Sequence, residues 1–477
     1  MYRVKIYKYG MIFGFCLAVM GCKAPQALTE TPIKPLPEAF GSSKDTVNSS
    51  VVRWKEFFKD PELVGLIDVA LKNNQELNIT LQEIEIAKND IRVRKGALLP
   101  SVGLRAGAGL EKVGRYTSQG AGDASTQIKP GIETPDPLGD FTIGVYANWE
   151  VDIWKKLRNS KKAAVTRYLA TVEGKNFVIT GLVAEVADTY YELLALDGQL
   201  DIVRQNIALQ SNALEIVKVQ KQAARATELG VQKFEAEVLA SKSLEFDILQ
   251  KIREAENKIN FLLARYPQEI KRGKGNFTDL LPAAVNSGIP SQLLANRPDV
   301  RQAELELVAA KLDVKVARAE FYPSLDISAA VGVQAFKPSY LFTMPESLLY
   351  SLAGDLAAPL INRNAIKAEF NSANARQLQA LYNYERTVLN AYLEVANQLS
   401  KIDNLEKSYD LKAQQVAALN RSIDASNDLF KSARVDYFEV LMTQRDALES
   451  KLELIETKKE QLNAVVHVYK ELGGGWK

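Results

Sequence analysis

The chain has 477 residues, 47% hydrophobic, 25% charged and 8% aromatic, and 60 basic against 58 acidic side chains leave a formal charge of +2. That length allows two or three ordinary domains of a helix-rich kind, and the absence of a Lys/Arg block removes the electrostatic footprint of a nucleic-acid binder. With Cys16 and Cys22 as the only cysteines and His467 as the only histidine, no disulfide framework or thiol metal site is expected.

Residues 1–21 read as a secretory signal. Arg3, Lys5 and Lys8 precede a short apolar run from Met11 to Met20, and Gly21 stands before Cys22. The run is too short to span a bilayer, which takes about 20 residues. Gly-Cys at the cut resembles a bacterial lipobox, in which Cys22 is acylated. An ordinary signal with an incidental Cys, or a plain membrane anchor, are the other readings. Residues 22–52 carry Pro25, Pro32, Pro35 and Pro37 and suit a tether between lipid and folded body.

The remainder is written twice. A first repeat over 53–264 and a second over 299–477 are joined by a linker at 265–298. Each repeat has a helical stretch ending at Pro-Ser, around Pro100 and Pro323, where a helix hands over to a strand. Strands are expected at about 102–113 and 141–152, and again at 324–336 and 347–357. In the first, Val102, Leu104, Ala106, Ala108 and Leu110 alternate with Gly103, Arg105, Gly107, Gly109 and Glu111. Period two over about ten residues fits a transmembrane β-strand with one dry face. It also fits a soluble antiparallel sheet packed on helices. Four strands cannot close a barrel, and an open edge cannot sit in lipid, so the membrane reading needs strands pooled between copies. Arg115–Asp140 reads as an exposed loop, and Lys337–Glu346 as its shorter counterpart.

Helices of unusual length are expected at about 157–222 and 363–431, each followed by a partner at about 229–263 and 437–471. About 65 residues of helix reach on the order of 100 Å. Ile248, Ile252, Ala255, Ile259 and Leu262 step by three and four, a heptad seam. The breaks near 223–229 and 432–437 are hairpin turns, with Ala224-Arg225-Ala226-Thr227 opposite Ala433-Arg434-Val435-Asp436. The linker, rich in Pro and Gly, is expected outside the helical body. No GxSxG, Walker, HExxH or GxGxxG motif stands in a fitting context, so neither enzymatic activity nor a cofactor is expected.

Several short stretches resemble the TolC-like outer-membrane efflux proteins, specifically the lipoprotein branch of the OprM and NodT type. They are Trp54-Lys-Glu-Phe-Phe-Lys-Asp-Pro-Glu-Leu63, Ala97-Leu-Leu-Pro-Ser101, Trp149-Glu-Val-Asp-Ile-Trp154, Ile289-Pro-Ser-Gln-Leu-Leu-Ala-Asn-Arg-Pro-Asp299, Phe321-Tyr-Pro-Ser324 and Tyr469-Lys-Glu-Leu-Gly-Gly-Gly-Trp476. The resemblance runs from Cys22 to the end. It implies a homotrimer with a twelve-stranded β-barrel in the outer membrane, a long periplasmic α-barrel and a mixed equatorial layer. It further implies a passive exit duct for small molecules such as drugs, joined to a periplasmic adaptor and an inner-membrane pump of the resistance-nodulation-division (RND) type. By the same resemblance the hairpin tips, Ala224, Arg225, Thr227, Glu228, Ala433, Arg434 and Asp436, dock the adaptor. Asp424, Asp428, Phe438 and Met442 fall where the duct closes at rest.

This sequence departs from the family's pattern at three places. Ala224 and Ala433 replace a frequent Gly. Met442 replaces an acid, which makes the constriction more apolar. Trp154-Lys155-Lys156 lacks a Gly common at that turn. A type I protein secretion channel, or a lipidated coiled-coil scaffold without a pore, are the alternatives.

Overall fold

The computed structural model describes residues 35–40, 47–273, 277–280, 282, 286–432 and 434–477. The signal segment, Cys22, most of the tether and Ala433 lie outside the described residues. The described residues form two compact units, one of residues 85–169 and 305–382 and the other of the remaining described residues.

The first unit holds a four-stranded antiparallel sheet of order β1-β4-β5-β6. β1 runs Ser101–Glu111, β4 Leu138–Val151, β5 Ser324–Ala335 and β6 Leu348–Ala357. β4 therefore starts three residues before the alternation predicts. The segment between β1 and β4 is also more ordered than the loop expected there. It contains helix α4, Ser118–Ser125, N-capped by the Thr117 hydroxyl accepting from Gly120 N at 3.1 Å. A small hairpin follows, β2 Gln127–Lys129 and β3 Ile132–Glu133. Gly131 turns it with φ +80°, a backbone region that costs glycine little.

Helices lead into and out of this sheet. α3, Gln75–Gly96, ends before Pro100 and β1, and α8, Pro298–Ala319, ends before Pro323 and β5. α5, Lys156–Gln222, follows β4, and α9, Asn364–Lys431, follows β6. Val314, Ala317, Phe321, Phe370 and Ala373 form the small core of this unit.

The second unit is built on helix pairs. α5 turns into α6, Glu228–Leu262, and α9 into α10, Tyr437–Glu471. All five residues of the predicted seam on α6 are buried. They join a core from the N-terminal helices α1, Trp54–Phe57, and α2, Pro61–Asn73, through Tyr190 and Leu193 to Tyr469. The linker is tied to this core more closely than a loose layer implies. Ile270 and Phe277 are buried. Tyr190 donates its hydroxyl to Asp60 Oδ2 at 2.7 Å and accepts from Gly273 N at 3.2 Å. Just after the short helix α7, Gln292–Asn296, the buried Arg297 bridges Asp299 (2.7 Å) and Glu394 (2.8 Å) and donates to the Glu471 carbonyl. A buried guanidinium so paired holds three chain segments at one point. Among the described residues, no helix is long and apolar enough to cross a membrane.

Candidate functional site: the uncovered sheet, its junctions and the hairpin tips

Strand register decides what the sheet presents. Leu104 pairs with Val145, Val145 with Val331 and Val331 with Tyr350. Val102, Ala147, Ala329 and Leu352 form the next such row, and Ala106, Ile143, Val333 and Leu348 a third. Every apolar position of the alternation thus falls on one face, because the side-chain period of a strand is two. Among the described residues most of that face is uncovered, with Leu104 75% exposed and Leu352 79%, although Val333 at one end is buried. A soluble sheet would have buried it against helices. Among the described residues the outer strands β1 and β6 also have no strand partner on their outer edges, a liability for any sheet left in water.

The opposite face is small and polar. It carries Gly103, Gly107, Gly144 and Gly332 with Thr142, Asn148, Ser328 and Gln334. Gly103 lies beneath the Tyr146 ring, and a Cβ there would meet ring atoms at 2.6 Å. Near one end, Glu150, Asp326 and Asp355 share a cross-strand row. Lys156 holds Glu150 at 2.5 Å.

Both Pro junctions are clipped by tryptophan. Trp149 donates its indole N–H to the Leu98 carbonyl at 3.2 Å, beside Pro100. Trp154 donates to the carbonyl of Pro323 at 2.7 Å and stacks on Tyr322. Arg363 adds a third clip, to the Phe321 carbonyl at 3.1 Å. Helix α5 then starts from Asp152, whose carboxylate accepts from Leu157 N and Arg158 N at 3.0 Å. Burial would raise the Asp152 carboxyl, but these bonds and the Arg158 guanidinium outweigh it and hold it below its usual value. The turn where a Gly is common has Lys155 at φ +61°, and its counterpart in the second repeat is Asn362 at +54°. The missing glycine leaves the left-handed geometry in place, at a cost of about 1 kcal/mol for lysine.

At the first hairpin tip α5 ends in a Schellman motif. Arg225 N donates to the Gln220 carbonyl and Ala224 N to that of Lys221, with Ala224 at φ +53°. That φ lies in the left-handed region, which glycine enters at least cost. Thr227 caps α6 by accepting from Gly230 N at 3.2 Å. Glu228 is engaged by Lys221 and Gln232, and their hydrogen bonds hold its carboxyl below the ordinary value. Arg225 stays exposed. At the second tip Arg434 N donates to the Leu429 carbonyl, a bond equivalent to that of Arg225 to Gln220. Asp436 occupies the cap of α10 without a side-chain bond. The tips lean on one another: Tyr437 packs against Gly230, in a cluster with Val217, Phe234 and Leu441.

Asp424 and Asp428 stand one turn apart, both exposed, near the end of α9. Phe438 is 44% exposed and Met442 half-buried, one turn apart on α10. Lys233 of α6 stands 4.7 Å over the Phe438 ring, so this spot pairs an aromatic with a cation rather than being purely apolar. The roles of Trp149, Trp154 and Arg363 were not read from sequence. The two tryptophans lie within a recognised motif, but their partners are 51 and 169 residues away.

Comparison with known proteins adds an independent line. A family model described as outer membrane efflux protein matches residues 66–265 and 289–474. The chain is similar to the pyoverdine export outer membrane protein OpmQ of Pseudomonas aeruginosa, 29% identical over 90% of this chain and 88% of that protein. It is 25% identical to the probable outer membrane lipoprotein SilC of Salmonella typhimurium over the full length of both. The open-state MtrE outer membrane channel of Neisseria gonorrhoeae shares the fold with a TM-score of 0.82, at 22% identity over 95% of this chain and 98% of that one.

Proposed function

Because the chain belongs to the outer membrane efflux protein family, we propose that three copies assemble into one exit duct, with twelve strands closing in the outer membrane. The observation that carries this is the sheet, whose coherent apolar face is mostly uncovered and whose two edges have no strand partner among the described residues. In a bilayer every backbone group must be paired, so the edges of one copy close on those of others. Two copies would give eight strands, whose interior side chains fill it. Twelve leave a bore lined by the glycine-rich polar face.

Cys22 is acylated and anchors each copy to the outer membrane; the signal and Gly21-Cys22 support this, as does the similarity to a protein named a lipoprotein. The helix pairs extend into the periplasm. Their tips, with Arg225, Thr227, Arg434 and Asp436 presented to solvent, dock a periplasmic adaptor, which joins the duct to an inner-membrane RND pump that supplies the energy. Asp424, Asp428, Phe438 and Met442 narrow the resting duct. The duct passes small molecules, and choice among them rests with the pump.

Purified protein in planar bilayers is expected to conduct, and to run as a trimer unless heated. Absence of conductance overturns the duct reading. Phe438→Ala with Met442→Ala should raise single-channel conductance; an unchanged value removes those two from the constriction. Labelling with palmitate should be abolished by Cys22→Ala.

A further inference from the structure

Helix α3 carries two apolar stripes where one would bury it. Leu77, Thr80, Ile84, Ala87 and Ile91 step by three and four residues and are buried or half-buried. On the other side Ile79, Ile86 and Val93 step by seven and are 61%, 69% and 67% exposed. At about 100° per residue the two stripes lie on nearly opposite faces. α9 is built the same way. Phe370, Ala373, Gln377, Leu381 and Tyr384 are buried, and Ala368, Ala375 and Tyr382 stand exposed on the far face, again seven apart.

The two helices are attached to the two open edges of the sheet. α3 runs into β1, and α9 leaves β6. Strand directions alternate across the sheet, so β1 of one copy meets β6 of the next antiparallel, and the attached helices are brought side by side. Val93 stands three residues before the last residue of α3, and Ala368 four after the first of α9. The seven-residue spacing keeps that match for Ile86 with Ala375 and for Ile79 with Tyr382. We propose that these stripes form an antiparallel seam between copies, with Val93 seated on Ala368, Ile86 on Ala375 and Ile79 against Tyr382. Branched side chains over alanines allow close helix approach next to the barrel, and the heptad repeat is the pattern of such seams. The proposal rests on the trimeric reading above and specifies which surfaces make it.

The test uses the full-length protein in outer membranes, oxidised with copper-phenanthroline and then fully denatured. The double variant Ile86→Cys/Ala375→Cys is expected to give covalent dimers and trimers. Each single variant, which reports any contribution of Cys22, and Glu85→Cys/Ala375→Cys, which uses another face of the same turn, should give none. A cross-link that leaves the mass of one chain puts the pair within a copy and overturns the seam. No cross-link in a sample that still runs as a trimer before heating overturns the seam and leaves the trimer standing. A sample that is monomeric before heating overturns both. As a second measure, Ala375→Trp should lower the temperature at which the trimer dissociates, and Glu85→Trp should not; equal shifts count against the seam.

Discussion

The two repeats share their rungs and differ in what fills them. Asn206 and Ser241 bond at 3.4 Å, and Gln415 and Ser450, 209 residues on, bond at 3.1 Å. Arg204–Glu245 at 2.8 Å has a neighbour one residue out of that register, Lys412–Glu453 at 2.9 Å. Yet the buried stripe of α6 reads Phe234, Val238, Ile248, Ile252 and Ile259, and the same places on α10 are Thr443, Ala447, Thr457, Gln461 and Val468. Gln444 also lies buried on α10 with its side-chain oxygen unpaired. Backbone geometry survived duplication, whereas the residues at these matched places did not. α10 buries its apolar side chains elsewhere, at Val440, Leu441, Ile455, Leu462, Val465, Val466 and Tyr469. At most of the matched places the first hairpin relies on the hydrophobic effect and the second on small or polar side chains whose net worth is less.

The sharpest way to break this comparison is truncation at matched positions. Phe234→Ala should cost the first hairpin about 3–5 kcal/mol, read as lost hydrogen-exchange protection around the tip. Thr443→Ala should cost under about 1 kcal/mol. Equal losses would show that burial does not separate the halves.

Next come the ends of the second arms. α6 and α10 close with the same motif, on Ala264 at φ +55° and Gly473 at φ +90°. A Cβ at Gly473 would lie 2.4 Å from the Asn296 carbonyl oxygen, so Gly473→Ala should destabilise by about 2 kcal/mol or more. Ala264→Gly should instead stabilise by up to about 1 kcal/mol. Opposite signs in thermal melts are the expected outcome.

A third contrast is pH. Burial pushes the Glu471 carboxyl up to about 7. The folded chain therefore keeps a proton that the unfolded chain releases, and stability falls as pH climbs from about 4.5 towards 7. His467 is raised by its 3.2 Å hydrogen bond to Asp188. Its contribution is complete below about 6.5 and is lost as pH rises through the folded value. Asp188 of α5, Glu394 of α9, Arg297 and Lys470 surround the pair. The end of α10 should thus be firmer at pH 6 than at pH 8, by about 1–2 kcal/mol after allowance for solvent screening. The matching positions on α6, Lys258 and Leu262, carry neither a carboxyl nor an imidazole, so the end of α6 should show no such change. Exchange protection at the two pH values checks both, and Glu471→Gln should reduce the difference.

The smallest effect is at the junctions. Trp154→Phe removes the 2.7 Å bond to Pro323 and should lower barrel stability by about 1 kcal/mol. Trp149→Phe, which breaks a 3.2 Å bond at Pro100, should cost less.

The sequence exposed the strands because their two faces meet different surroundings, and alternation survives wherever that holds. It exposed the long helices because few residues interrupt them. The α4 segment stayed hidden because Gly and Ser dominate it, although Thr117 was there as a cap. Part of the second hairpin's interior was hidden for the reason that separates the repeats: Thr457, Lys458 and Gln461 are buried without being apolar. The tryptophan clips were invisible because no local pattern announces a partner across the fold.

The second arms α6 and α10 have 35 residues each, and the first arms α5 and α9 have 67 and 68. One inserted residue in either arm would move its tip by about 1.5 Å and turn its face by about 100°. A change of reach that keeps a tip's facing therefore comes in whole heptads, added to both arms of a hairpin together. Insertions disturb least in the loops beyond the strands and most here, so the paired arms limit which lengths preserve the tips.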